Sequence, residues 1–326
     1  MADLVKIDFP AGIKMEPIFL NRARLDEIKR NAVTTGTVRQ VDRKYGELFF
    51  PEPGQERPYI YGVLVLSVDG RMAFEDNPVG PYIARKNELD EDGGLLDYWT
   101  LTALRTHADG IITAAKTLSA EPEASLHICD EELIRDRKER LGKRDRHPLN
   151  IVVSRKGQDI PYGHKLFNSL PDEDLVYLVV TSARGLEAVK KESPRKVEAV
   201  QVADAGDLDK LERLKDILGK KNDKLLPVLA IGRQGADLDT ALFLKALRQL
   251  DIKTLGIESP TYAYHLMEEE YLDEYFLNYS MVFAGGPIVP GFSQSFDHDS
   301  HPHTRLLSVH LHRENFLYTR HQVVYI

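Results

Sequence analysis

The chain has 326 residues, a formal charge of −8 at pH 7 and one cysteine, Cys129. That length can bury a substantial core without covalent staples, a lone thiol excludes an intrachain disulfide, and the acidic balance argues against nucleic acid as a partner. Asp3, Lys6 and Asp8 interrupt the start of the chain where a signal peptide would be apolar, and no run approaches the roughly 20 apolar residues of a membrane span, so a soluble cytoplasmic chain with no membrane partner is expected.

Residues 1–57 mix short apolar pieces with Pro10, Pro17, Pro51 and Pro53 and hold no sustained period. They read as an extension packed on a main domain that occupies residues 58–326. The regular part opens with Tyr59 to Ser67, a Val- and Tyr-rich run of strand length that ends just before the turn pair Asp69-Gly70. Leu95, Leu96, Trp99, Leu101 and Leu104 then recur at helical spacings and lead into a buried strand over Gly110 to Ala115. Asp130 to Arg146 carries seven basic and six acidic residues, the near-balance of a solvated helix with local ion pairs.

Further strands are expected at 149–154, 175–181, 197–202, 226–231, 254–258 and 274–283. Amphipathic helices over 207–218 and 238–250 fall between them, the alternation of a largely parallel sheet covered on both faces. Thr304 to Ile326 lacks helix signals and reads as two closing strands, an antiparallel hairpin at the sheet edge. His298, His301, His303, His310 and His312 crowd this end, but no second ligand pair has a recognised spacing. A solvated or substrate-facing loop is expected there, and no metal.

Four patterns stand out, three of them with residues that could carry chemistry. Ser67-Val68-Asp69-Gly70-Arg71-Met72-Ala73 follows the first strand and sets the Asp69 carboxylate at the carboxyl edge of the sheet, where α/β proteins bind ligands; an ordinary Asp-Gly turn is the alternative. Leu104-Arg105 and Ala108-Asp109 precede a buried strand whose small-residue turn ends in Lys116-Thr117, with Glu121-Pro122 beyond. Gly232 to Leu238 introduces an amphipathic helix and is read as structure. Gly256-Ile257-Glu258-Ser259-Pro260-Thr261 closes another buried strand, followed by Tyr264, Leu272-Asp273-Glu274 and Ala284-Gly285-Gly286. A Glu at such a position is costly to hide, so it faces either a ligand or an ion pair.

In this order the patterns resemble the reductase domain of riboflavin biosynthesis, the C-terminal domain of the bifunctional deaminase-reductases, within the dihydrofolate-reductase-like superfamily. The resemblance implies a dihydrofolate-reductase-like α/β fold, a mixed, mainly parallel sheet with flanking helices. It implies a homodimeric NAD(P)H-dependent oxidoreductase, with NADPH preferred, acting on a small heterocyclic or ribosylated substrate in the manner of a 5-amino-6-(5-phosphoribosylamino)uracil reductase. Asp69 and Glu258 would be catalytic, Arg105 and Glu258 would bind substrate, and Thr117, Glu121, Ser259, Thr261 and Tyr264 would bind the cofactor. A folate-type or other small-molecule reductase, or a non-catalytic binding protein on the same fold, are the alternatives.

Three departures accompany the likeness. Residues 1–57 lack a Cys-x-x-Cys zinc pattern and are too short for a deaminase. No Arg stands between Ser125 and Cys129 to meet a substrate phosphate, and His127 is the nearest candidate. Ser259-Pro260 replaces the family's Gly-Gly, which removes one phosphate-binding amide, while the Ser259 hydroxyl is expected to cap the following helix.

Overall fold

In the computed structural model, which describes residues 4–122, 124–169, 174–220, 222–291 and 295–326, eleven strands form one sheet. Eight of them are parallel: β2 (Tyr59–Ser67), β3 (Gly110–Ala114), β4 (Leu149–Val153), β5 (Tyr177–Ser182), β6 (Lys196–Val202), β7 (Leu225–Ile231), β8 (Thr254–Ile257) and β9 (Glu274–Ser280), in the spatial order β9-β2-β8-β3-β4-β5-β7-β6. Their continuous Val, Ile and Leu runs are those of strands covered on both faces. Outside β9 the sheet turns antiparallel through β11 (Phe316–Val324), β10 (His303–His312) and β1 (Glu16–Leu20).

Ten α-helices lie among the described residues: α1 (Arg22–Arg30), α2 (Arg39–Lys44), α3 (Tyr82–Arg85), α4 (Glu91–His107), α5 (Ala115–Ala120), α6 (Glu131–Glu139), α7 (Leu186–Glu192), α8 (Leu211–Gly219), α9 (Thr240–Gln249) and α10 (Pro260–Glu268). Side-chain carboxylates start three of them. Asp90, Asp130 and Asp239 accept from the Gly93, Leu133 and Leu242 amides at 3.1, 2.9 and 2.9 Å. Leu211 and Leu214 of α8, Phe243 and Leu247 of α9 and Leu266 of α10 pack on Ile112, Ile151 and Leu229 of the sheet in one core cluster. In another, Leu96, Trp99 and Leu104 of α4 meet Phe50, Tyr61, Phe276 and Phe316. No helix of the described residues is long and apolar enough to cross a membrane.

Three sequence expectations need correction. The hairpin β10–β11 is not the sheet edge, because β1 pairs with β10 beyond it. The helix expected over 207–218 is split, with a 3₁₀ turn at Ala205–Lys210 ahead of α8. The charged segment after Asp130 is not simply a solvated face. Asp136 is fully buried and takes the Arg39 guanidinium, while buried Arg137 donates to the carbonyls of Thr106 and Ala108 at 2.8 and 2.6 Å and so satisfies the end of α4. Phe9, Met15, Val41 and Phe50 enter the same core cluster as α4, and Gln40 accepts from the Trp99 indole at 2.7 Å.

Candidate active site

Because β2, β3 and β8 run parallel and side by side, the residues that follow them meet at one carboxyl edge. After β8, the Glu258 amide still holds the sheet, donating to Ile112 of β3 at 2.9 Å. Its carboxylate faces Arg105 on α4 in a two-pronged pair, Nε to Oε1 at 2.7 Å and Nη2 to Oε2 at 2.6 Å. Both side chains are at least nine-tenths buried, 3% and 9% exposed. Nη1 of Arg105 goes to the carbonyls of Ser125 and His127 at 3.1 and 2.9 Å. The guanidinium is therefore shared between the Glu258 carboxylate and the backbone.

Thr117 on α5 and Ser259 ahead of α10 meet here, Thr117 Oγ1 donating to Ser259 Oγ at 3.3 Å. Ser259 consequently does not cap: no amide of α10 bonds its hydroxyl, contrary to the sequence expectation. The amides of Thr261 and Tyr262 in the first turn have no partner among the described residues, and Pro260 contributes no N–H. Thr261 is exposed beside them, as is Lys116 across the edge. Glu121, where α5 ends, lies close enough to Gly80 that a Cβ added there would sit 3.2 Å from Oε1. Burial, with the Glu258 charge adding, pushes the Glu121 carboxyl up and favours its neutral form. Tyr264 of α10 stacks on Phe296 with ring centroids 5.8 Å apart.

Asp69 closes the loop after β2. It accepts from Ser67 Oγ at 2.5 Å and from the amides of Ala284 and Gly285 at 3.2 and 2.9 Å, so it clasps the 284–286 turn to the end of β2. The Ser67 hydrogen bond, followed by the two amides, holds its pKa down at about 2 despite some desolvation. His127 is buried, its ring nitrogens at 3.2 and 2.7 Å from the carbonyls of Ser125 and Val5, which takes it out of reach of a substrate phosphate.

A polar pair that the sequence reading passed over sits under α4. Asp97 accepts from Asn278 Nδ2 of β9 at 2.7 Å, and burial lifts its pKa to about 6 against that hydrogen bond. The signal available in the sequence was Asn278 itself, a polar residue between Phe276 and Ser280 on the inward face of a buried strand.

No protein-family model and no curated protein matches the sequence. Solved structures do. A pyrimidine reductase-like protein from Corynebacterium diphtheriae superposes over 89% of this chain and 100% of its own with a TM-score of 0.56 at 19% identity. The chain adopts the pyrimidine-reductase fold. A diaminohydroxyphosphoribosylaminopyrimidine deaminase/5-amino-6-(5-phosphoribosylamino)uracil reductase from Thermotoga maritima aligns over 83% of this chain with a TM-score of 0.52 at 13% identity, and RibD of Acinetobacter baumannii over 82% with 0.50 at 17%. The matched part spans 58% of each of these two larger chains. On the pyrimidine-reductase fold, Asp69, Thr117, Glu121, Glu258 and Ser259 gather around the ends of β2, β3 and β8, while Tyr264 is turned toward Phe296.

Proposed function

We propose that this protein is an NAD(P)H-dependent oxidoreductase, with NADPH the preferred cofactor, that reduces a small heterocyclic substrate. Residues 58–326 form the reductase domain and residues 1–57 its extension, and the protein works as a cytoplasmic homodimer. The observation that carries the reading is the meeting of Thr117 and Ser259 at the start of α10. Two hydroxyls and the unpartnered Thr261 and Tyr262 amides face the same helix start, a donor set suited to a dinucleotide pyrophosphate. Of the two acids at this edge, Glu258 is paired with Arg105, and burial pushes the Glu121 carboxyl up.

The bound cofactor supplies the hydride. The chain then has to orient the ring that receives it and keep water away. Arg105 acts as a positioning residue, tying α4 to the end of β8 through Glu258. Asp69 positions the 284–286 turn at the edge of the site. A phosphoribosyl group finds no Arg at 125–129 and no free imidazole on His127, which favours a substrate without a phosphate. The test is NADPH oxidation followed at 340 nm, a wavelength set at about the absorbance maximum of the reduced nicotinamide, across pyrimidines, pterins and their ribosides. Oxidation with an unphosphorylated heterocycle supports the assignment. Rescue of a strain lacking the riboflavin reductase would refute the substrate preference.

A second reading, a non-catalytic binding protein, draws on the loss of one amide at Pro260 and on the mutual satisfaction of Arg105 and Glu258. The two part company over dinucleotide affinity, which only the reductase requires.

A further inference from the structure

We propose that the segment from Asp297 to His303 binds a divalent transition metal such as Zn²⁺, with His298 Nε2 and the Asp299 carboxylate as its first two ligands. The site lies outside the reductase edge and does not depend on the reading above. His298 stands between two carboxylates, its Nδ1 3.2 Å from Asp297 Oδ1 and its Nε2 3.2 Å from Asp299 Oδ1. Donor atoms of the three residues lie within 4.8 Å of one another. Zinc holds nitrogen and oxygen at about 2.0–2.2 Å, which puts two ligands of a tetrahedral ion roughly 3.4 Å apart. His298 Nε2 and Asp299 Oδ1 are already close to that spacing.

The roles of the two acids follow from the ring between them. A neutral imidazole carries one N–H, so it donates to only one of the carboxylates and turns a lone pair on the other. With the N–H on Nδ1 toward Asp297, the Nε2 lone pair and the Asp299 carboxylate face each other, and a cation between them removes the conflict. Asp297 is then the carboxylate that fixes the tautomer and orients the ring of a metal-bound histidine. Among the described residues no Lys or Arg pairs with Asp297 or Asp299, whereas other exposed acids such as Glu47 and Glu212 each face a lysine.

Two more imidazoles supply the remaining donors. His301 Nδ1 lies 3.3 Å from the Asp297 carbonyl, and the His301 and His303 rings are 4.7 Å apart, centroid to centroid. All five residues are exposed, so an ion reaches them from solvent. The segment is pinned at both ends, where Phe296 stacks on Tyr264 of α10 and His303 pairs with Val324 as β10 begins. Pinned ends lower the entropy lost in gathering the ligands. Spacing alone argued for a solvated loop here, because the donors come from one short segment and not from two separated pairs. Imidazoles beside the carboxylates select zinc, cobalt or nickel over magnesium and calcium, which take oxygen ligands. An ion held here ties the segment that leaves the 284–286 turn to the start of β10.

Calorimetric titration of the full chain with Zn²⁺ after EDTA treatment, and with Mg²⁺ in parallel, tests the site. Saturable binding of one Zn²⁺ per chain is expected, with a rise in Tm and no response to Mg²⁺ at the same concentrations. His298→Ala and Asp299→Asn should each lose at least about tenfold in affinity, and Asp297→Asn about tenfold through the ring it orients. The exposed positions of all three leave the fold intact, which circular dichroism of the variants checks. Zn²⁺ binding that survives undiminished in folded His298→Ala belongs to other histidines and overturns the proposal. So does the absence of saturable Zn²⁺ binding in the natural protein. Equal binding of Mg²⁺ would show only an acidic surface attracting cations, and overturns it as well.

Discussion

Replacing Glu258 by Gln tests whether the Arg105 pair is structure or chemistry. The carboxylate accepts at 2.7 and 2.6 Å from two guanidinium nitrogens, and both partners are at least nine-tenths buried. Gln keeps one acceptor and turns the other oxygen into an N–H that opposes an N–H. Arg105 stays charged, since deprotonating a guanidinium in the interior is harder than leaving it unpaired. Losing one member of a buried pair costs about 3–5 kcal/mol, more than an exposed pair is worth by several-fold. At roughly 2–4 °C per kcal/mol for a chain of this size, Tm should fall by about 10 °C. Differential scanning calorimetry and urea denaturation measure it. A Glu258→Leu, Arg105→Met double variant, which removes both charges, should recover most of the loss. A Glu258→Gln protein that melts within about 2 °C of the natural one would refute the structural pair and return Glu258 to the ligand.

At the helix start, a Ser259→Gly, Pro260→Gly double variant should bind NADPH several-fold more tightly, because one amide N–H, worth on the order of 1 kcal/mol, is restored. Fluorescence titration checks this, and equal affinities would mean that Pro260 does not limit the site. Asp69→Asn should loosen the 284–286 turn and lower the urea midpoint at pH 7. Its carboxyl is held down at about 2 from the usual 3.8, so the wild-type advantage is full above about pH 4 and shrinks as pH falls toward 2; an unchanged midpoint at pH 7 counts against the clasp. Asp97→Asn should behave oppositely. With its pKa raised from 3.8 to about 6, Asp97 weakens the fold as pH rises through 6, so the Asn variant should gain stability at pH 8 and show no advantage below about pH 4. The ceiling is about 3 kcal/mol, reduced by the solvent that reaches the partly accessible Asp97 side chain, and a pH-independent difference in urea denaturation would contradict it.

The central strands were legible because parallel strands buried on both faces read as unbroken apolar runs. Tyr59 to Ser67 was placed to the residue, and 226–231 within one residue of Leu225–Ile231. β1 gave nothing to read: in Glu16–Leu20 four of five side chains are exposed, so an edge strand carries no alternation. In α6 a balanced charge run concealed Asp136 and Arg137, whose burial depends on Arg39 and on the end of α4, both distant in sequence. Arg105 and Glu258 stood out singly, but that they satisfy each other across 153 positions follows only from the packing of α4 against β8. Asp97 was hidden by the leucines around it, since the helical period could be drawn through Leu96, Leu101 and Leu104 without it.

The most direct measurement is a titration of the purified chain with NADPH and NADH, read by nicotinamide fluorescence, with the Thr117→Val variant beside it. A dinucleotide site at the Thr117–Ser259 edge predicts saturable binding, tighter for NADPH, that weakens several-fold when the Thr117 hydroxyl is removed. No affinity for either dinucleotide at millimolar concentration would contradict the reductase assignment and leave a binding protein on the pyrimidine-reductase fold.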